Sequence, residues 1–249
     1  MNTLNNNNFN ICVYITDFII HYFILIQNSS LYCPLLERWI PVLMTIILRE
    51  DSTHYKEHFK YLFQWIDEYC EAETKNHDNF YAQVIDFSMA ERRGFIDAYV
   101  EYKLEKFNTS SYSEALLNSH KTHLEEEAFT FLKGCQEHYR QSITRIARNH
   151  AIVKPEDSAK FQSMTLNLLK TDISEFFEQV ELCKKNWPNA ITWLEWWVYT
   201  DAGKILFPAL STMSEDLSRK LPNSTNAQES MHSRYYLCGT TNQSIITGI

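Results

Sequence analysis

The apolar residues of this chain follow two different patterns, one in its first third and one after it. Short apolar runs rich in β-branched and aromatic residues come first, and such runs are typical of strands. They are ICVYITDFIIHYFILI (Ile11 to Ile26), RWIPVLMTIIL (Arg38 to Leu48) and FYAQVIDF (Phe80 to Phe87). We interpret the first run as two strands that meet near Asp17, followed by a loop, QNSSLYCP.

Helical patterns begin at Asp51, with Ser52 as the expected cap. Apolar positions there recur at steps of four and three: Tyr55, Phe59, Leu62, Ile66 and Tyr69. Further helices are predicted in MAERRGFIDAYVEYKLEKF, over much of 124–150, over about 160–187, in AITWLEWWVYT and from about Asn226, with a polar loop over 108–120. The chain therefore predicts an α/β fold, with a mixed sheet in the N-terminal half and helices after it.

Composition and charge narrow the class of protein. Hydrophobic residues make up 45% and aromatic residues 14%, which is typical of a folding chain. Only residues 1–8 and 237–249 have the composition of an unstructured leader and tail. The 23 basic and 31 acidic residues give a net charge of −8, which excludes a general basic surface for nucleic acid. Any contact with DNA needs a local patch.

The cysteines and the N-terminus bear on the cellular location. Six cysteines are widely spaced and form no C-x-x-C pair, so we expect reduced thiols in an intracellular or nuclear protein that is not secreted. The run from Ile11 to Ile26 leaves a membrane anchor on a helical scaffold as an alternative. Asp17 interrupts that run at a cost of roughly 2.5–3.5 kcal/mol in a membrane, and no Lys or Arg precedes Arg38. We therefore favour strands and expect no membrane association.

Three carboxylates are candidates for a site. Asp86 directly follows an apolar strand, and the carboxyl ends of strands are where α/β folds place sites, although Asp86 could equally cap the next helix. Glu229 follows Thr225 and Asn226 in a pattern that also fits a capping box. Asp17 lies in the most apolar segment, where a carboxylate needs a partner, a proton or a cation.

Other side chains allow a functional and a structural interpretation. Cys135 and His138 lie one helical turn apart and could form half of a zinc site, or be a buried thiol and a polar histidine. Further zinc donors could come from Cys183, His232 or Cys238. A basic patch of three arginines could contact DNA phosphates or simply be solvated: Arg140, Arg145 and Arg148. The tryptophans of WLEWWVYT fit a base-stacking platform less well than a helix core.

The order of these features resembles the catalytic core of Mutator-like (MULE) transposases. The resemblance covers about residues 35–236 and consists of a strand ending in Asp86, the Cys135-x-x-His138 motif, an aromatic helical stretch, and STNAQESMHSRYY. In the last segment Thr225, Asn226, Glu229 and Ser230 match the family's T-N-x-x-E-S motif.

The resemblance implies a ribonuclease-H-like core over about 9–236, with a helical insertion over about 120–222. It implies a DDE site in which Asp17, Asp86 and Glu229 bind Mg²⁺ or Mn²⁺ and cut or join DNA at element ends. Zinc at Cys135 and His138 is a separate hypothesis, which rests on the spacing of those two residues. No small-molecule cofactor is expected, and assembly into a homo-oligomer is left open.

The sequence departs from the family pattern in three respects. Asp17 lacks the neighbouring Thr-Phe pair of the first catalytic Asp, and the flanking N- and C-terminal zinc-binding segments are missing. The chain thus resembles a truncated or degenerate copy. Two outcomes are consistent with this pattern: a transposase-derived nuclease, or a catalytically dead module of the same fold that binds DNA or protein.

Overall fold

The computed structural model describes residues 13–14, 19–20, 24–33, 36–47, 49–69, 80–107 and 112–226. Its strands are β1 Val13–Tyr14, β2 Ile19–Ile20, β3 Ile24–Cys33, β4 Arg38–Ile47, β5 Gln83–Ile85 and β6 Leu132–Gly134. Its α-helices are α1 Ser52–Tyr69, α2 Met89–Lys106, α3 Glu114–Phe129, α4 Gln136–Ala147, α5 Ser158–Asn167, α6 Ile173–Asn186, α7 Ile191–Tyr199, α8 Asp201–Leu206 and α9 Glu215–Lys220. The predicted α/β class is confirmed.

One mixed sheet contains all six of these strands. β1 and β2 both pair antiparallel with β3, and β4 pairs antiparallel with the other side of β3. β5 lies parallel to β1, and β6 lies parallel to β5. The sheet therefore begins with an antiparallel unit and ends with parallel strands, whose carboxyl ends lie at one edge.

The first hydrophobic core lies between this sheet and helices α1 and α2. The predicted apolar face of α1 is buried from Tyr55 to Ile66, but Tyr69, which was predicted to continue it, is 65% exposed at the end of the helix. The rings of Phe59 and Phe95 pack edge to face with centroids 5.0 Å apart. Gly94 allows α2 to approach α1 closely, because an added Cβ would lie 2.8 Å from the backbone nitrogen of Lys56.

A second core lies within the helical region and centres on the fully buried Tyr139. The Tyr139 ring packs against Trp197 and Phe207, with centroids 4.9 and 5.3 Å away. Phe87, which follows Asp86, packs against both cores, and its ring lies edge to face with that of Trp197 at 4.6 Å. Phe87 thus joins the end of β5 to the helical region.

Several local predictions were wrong. The segment QNSSLYCP was predicted to be a loop, but β3 continues through its polar residues to Cys33 because the ladder with β4 pairs their backbone groups. The polar stretch 108–120 contains the start of α3, which Ser113 caps by accepting a hydrogen bond from the Leu116 N–H. The cap of α1 is Asp51 rather than Ser52, since Asp51 Oδ1 accepts from two backbone N–H groups.

The predicted helical region also needs correction. The stretch 124–150 is helical in large part, as predicted, but the strand β6 interrupts it and lies inside the proposed insertion of about 120–222. The single helix over about 160–187 is two helices, α5 and α6, separated by a break at 168–172. After β6 the described chain contains helices and no strand as far as residue 226.

Candidate metal centre at the carboxyl edge of the sheet

Asp86 is the first residue after β5, and its side chain is 27% exposed. The alternative that Asp86 caps the next helix is wrong, because Ser88 is the cap of α2 and accepts a hydrogen bond from the Glu91 N–H. The Asp86 carboxylate instead faces His138, with 3.2 Å between Asp86 Oδ1 and His138 Nδ1. The strand end therefore presents Asp86 to a neighbouring helix.

The parallel pairing of β5 and β6 explains how the C-x-x-H motif reaches Asp86. Ile85 is in register with Gly134, so Asp86 and Cys135 leave adjacent strands at the same edge. The Cys135 N–H donates to the Ile85 carbonyl at 3.0 Å. Cys135 is also the N-cap residue of α4, and His138 lies one turn later in the same helix. Strand and helix together fix the positions of both side chains.

Thr225 joins this cluster from a distant part of the chain. Its hydroxyl oxygen lies 3.4 Å from Asp86 Oδ1 and 3.3 Å from Cys135 Sγ, and its backbone N–H donates to the same sulfur at 3.4 Å. A hydrogen bond of 2.8 Å from the Gln136 N–H to the Asn223 carbonyl ties this segment to α4. Thr225 is fully buried, so its own hydroxyl and N–H are shielded from solvent.

Asp86, Cys135 and His138 each offer one ligand atom, and the three atoms lie within 4.8 Å of one another. Burial acts to raise the pKa of the Cys135 thiol, but hydrogen bonds from His138 and Thr225 outweigh it, so the pKa lies below the ordinary value. The N-terminus of α4 also favours negative charge at Cys135. The cluster is therefore suited to a thiolate beside a carboxylate and an imidazole, a donor set that can hold a divalent cation.

Not all of the predicted ligands join this cluster. Cys183 lies in the helical core, where burial raises the pKa of its thiol to about 11, and it is not part of the cluster. The carboxylates predicted to complete the DDE set, Asp17 and Glu229, lie outside the described residues. The same holds for the further zinc donors His232 and Cys238.

The predicted basic patch lies farther along α4. Arg140, Arg145 and Arg148 are exposed and line a shallow concavity of about 470 Å³ together with Glu137, Gln141 and Thr144. The Arg140 guanidinium lies 3.7 Å from the carboxylate of Glu137, and Glu137 directly precedes His138 in the sequence. Arg140 and Arg145 therefore lie on the same helix as His138, and Arg148 is the C-cap of that helix.

The tryptophans of α7 mostly serve the core, as favoured from the sequence. Trp197 is buried, and the Trp193 indole N–H donates to the Ser142 hydroxyl at 2.8 Å. Trp196 is 44% exposed and packs edge to face on Trp197.

The sequence did not predict that Asp86 and the C-x-x-H motif form one cluster, or that Thr225 completes it. One sequence signal for this cluster was available: the short run before Cys135 forms a strand, as the run before Asp86 does. Residues that follow two parallel neighbours come together at the same sheet edge.

Comparison with protein-family models, curated proteins and solved structures found no match for this chain. Among the described residues, no helix has both the length and the apolar character needed to cross a membrane. Within the run from Ile11 to Ile26, the described residues belong to strands β1, β2 and β3.

Proposed function

We propose that this chain is a transposase-derived domain of the DDE type, which cleaves or joins DNA phosphodiester bonds through carboxylate-bound divalent ions. The observation that carries the proposal is the meeting of three separated motifs. Asp86 at the end of β5, the Cys135-x-x-His138 motif and Thr225 of the T-N-x-x-E-S motif lie in mutual contact. Thr225 and Asp86 are 139 residues apart in sequence, so only the fold brings them together.

The strand connections support a ribonuclease-H-like sheet for this domain. An antiparallel unit of β1 to β4 is followed by α1 and then by two strands parallel to β1. Because β1 and β5 are parallel neighbours, the chain leaves both at the same edge. Asp17 is three residues beyond β1, and Asp86 is one residue beyond β5.

The position of Thr225 also bears on Glu229, four residues later in the motif. Four residues span at most about 14 Å even when fully extended. The motif therefore supplies a candidate third carboxylate close in sequence to Thr225, which itself contacts Asp86. Two Mg²⁺ or Mn²⁺ ions held by such carboxylates would stabilise the attacking and leaving oxygens of an in-line displacement at phosphorus.

A nicking assay tests this proposal. Supercoiled plasmid is incubated with the full chain and Mn²⁺ or Mg²⁺, and open circles are quantified. The wild type should nick, and Asp86→Asn and Glu229→Gln should each abolish nicking. Glu215→Gln is the matched control, because Glu215 is an exposed acid on α9 and pairs only with Arg219 among described residues. Nicking that survives both site variants would contradict the proposal.

The alternative is a catalytically dead DNA- or protein-binding module of the same fold. One observation favours it: Asp86 shares its surroundings with a thiol and an imidazole, ligands that Mg²⁺ does not prefer. In this case the wild type should bind duplex DNA without nicking it. Joint replacement of Arg140, Arg145 and Arg148 by Gln should weaken DNA binding. It should also reduce the slope of log affinity against log salt concentration by about one for each phosphate contact that is lost. Arg219→Gln, in an exposed arginine of α9, is the matched control.

A further inference from the structure

We propose that Asp86, Cys135 and His138 bind one borderline-soft divalent ion, with Zn²⁺ as the main case, at a site that discriminates against Mg²⁺. The proposal shares Asp86 with the proposed function but does not depend on DNA cleavage. It rests on the geometry of three donors of different chemistry at the edge between β5, β6 and α4.

The donor types select the ion. Mg²⁺ takes hard oxygen ligands in octahedral geometry, so a site with one sulfur and one nitrogen donor disfavours it. Zn²⁺ accepts cysteine, histidine and carboxylate ligands together, and zinc sites with three protein ligands keep a fourth position open. Asp86, Cys135 and His138 provide this mixed set of three.

The distances fit a single ion. Two ligands bound to zinc at about 2.0–2.1 Å with a tetrahedral angle are about 3.4 Å apart, and Asp86 Oδ1 and His138 Nδ1 are 3.2 Å apart. A sulfur at about 2.3 Å would lie about 3.6 Å from either. All three donor atoms lie within 4.8 Å of one another, so closure around an ion shortens any of their separations by at most about 1.2 Å.

The surroundings prepare the ligands for binding. The Thr225 N–H and hydroxyl both point to Cys135 Sγ, and hydrogen bonds to a ligand sulfur stabilise the thiolate that a metal needs. Binding releases the thiol proton to solvent. Cys135 is fully buried, whereas Asp86 and His138 are 27% and 36% exposed, so an ion can enter and a water or phosphate oxygen can take the fourth position.

Cobalt titration of the full, reduced chain tests the proposal, because Co²⁺ reports sulfur ligands through a thiolate-to-metal charge-transfer band. We expect one Co²⁺ per chain with that band, complete displacement by one equivalent of Zn²⁺, and no displacement by a hundredfold excess of Mg²⁺. Cys135→Ser should remove the band, and His138→Gln should weaken affinity at least tenfold. Cys183→Ser is the matched control, since Cys183 is a buried thiol of the other core, and it should keep the band.

Three results would overturn the proposal: a wild type without the band, a band that persists in Cys135→Ser, or displacement by Mg²⁺. His138→Gln replaces a partly exposed side chain, so it keeps the test valid if the buried Cys135 variant fails to fold by circular dichroism. Glu229→Gln separates the two proposals, because it should abolish nicking while the band remains. A chain that binds Co²⁺ through Cys135 but never nicks DNA supports this site and contradicts the proposed reaction.

Discussion

The buried His58 makes the stability of this protein depend on pH in a way that one substitution can isolate. His58 lies on α1 facing the sheet and is 1% exposed. Its Nε2 lies 2.7 Å from the Ser29 hydroxyl, and its Nδ1 lies 2.6 Å from the Thr45 hydroxyl. Each hydroxyl can donate or accept, so a neutral imidazole satisfies both contacts. Burial lowers the pKa of His58 to about 3.

The size and sign of the effect follow from the two pKa values. An unfolded chain has an ordinary histidine pKa of about 6.5, so between pH 6.5 and 3 the unfolded state binds one more proton than the folded state. The free energy of unfolding therefore falls as the pH falls through this window, by about 1.4 kcal/mol per pH unit. Between about pH 7 and about pH 4.5, His58 should remove roughly 2–3 kcal/mol of stability.

Urea denaturation of three proteins at these two pH values measures this contribution. His58→Gln should lose roughly 2–3 kcal/mol less than the wild type on acidification, because its side chain does not titrate. Protonation of the carboxylates also changes the free energy of unfolding between these pH values, but it does so equally in both proteins and therefore cancels in the comparison. His150→Gln, in an exposed histidine, should behave like the wild type. Equal losses for the wild type and His58→Gln would refute the reasoning.

Three further substitutions or modifications test the packing. Gly94→Ala places a Cβ 2.8 Å from the Lys56 backbone nitrogen and should lower the free energy of unfolding by about 1–3 kcal/mol in urea denaturation. Lys133→Met removes hydrogen bonds to the carbonyls of Ser218 and Leu221 and should cost about 1–3 kcal/mol in the same assay, with faster amide exchange in α9. Cys183, whose buried thiol has a pKa of about 11, should resist iodoacetamide in the native protein at pH 8 by peptide mass spectrometry.

Each of these tests has a control within the chain. Asn118→Ala, at an exposed position of α3, should stay within about 0.5 kcal/mol of the wild type, and so should Lys154→Met at an exposed lysine. Cys183 should react fully once urea unfolds the chain. Unchanged stability in Gly94→Ala or in Lys133→Met would show that the packing described for that residue is wrong. Rapid labelling of Cys183 in the native protein would show the same for Cys183.

The sequence predicted the type of several elements correctly, since β4, α1, α2 and α7 are confirmed. A long pattern was not always sufficient, because the predicted single helix over about 160–187 is two helices. The polar residues of β3 gave no strand signal, because hydrogen bonds with β4 rather than side-chain hydrophobicity hold them in the sheet. β6 is only three residues long and is stabilised by its neighbour β5, so the short run before Cys135 is only a weak local signal for it.

The candidate site was predictable only in part, because β6 was not predicted. The strand before Asp86 correctly predicted that this carboxylate lies at a strand end. Without β6, nothing in the sequence placed Cys135 at the next strand end, so Asp86 and the C-x-x-H motif were assigned separate roles. The contact of Thr225 with both depends on the tertiary path of the chain and has no local signal.

Phe87 has a consequence for any attempt to divide this protein. Its ring belongs to neither core alone, because it packs against the sheet unit on one side and the helical region on the other. A fragment containing only the strands and the first helices would leave that ring, and the surface around Trp197 that it covers, facing water. The sheet unit and the helical region should therefore be expressed together, and we expect them to unfold as one cooperative unit. Asp86, which precedes Phe87, depends on both regions for its position.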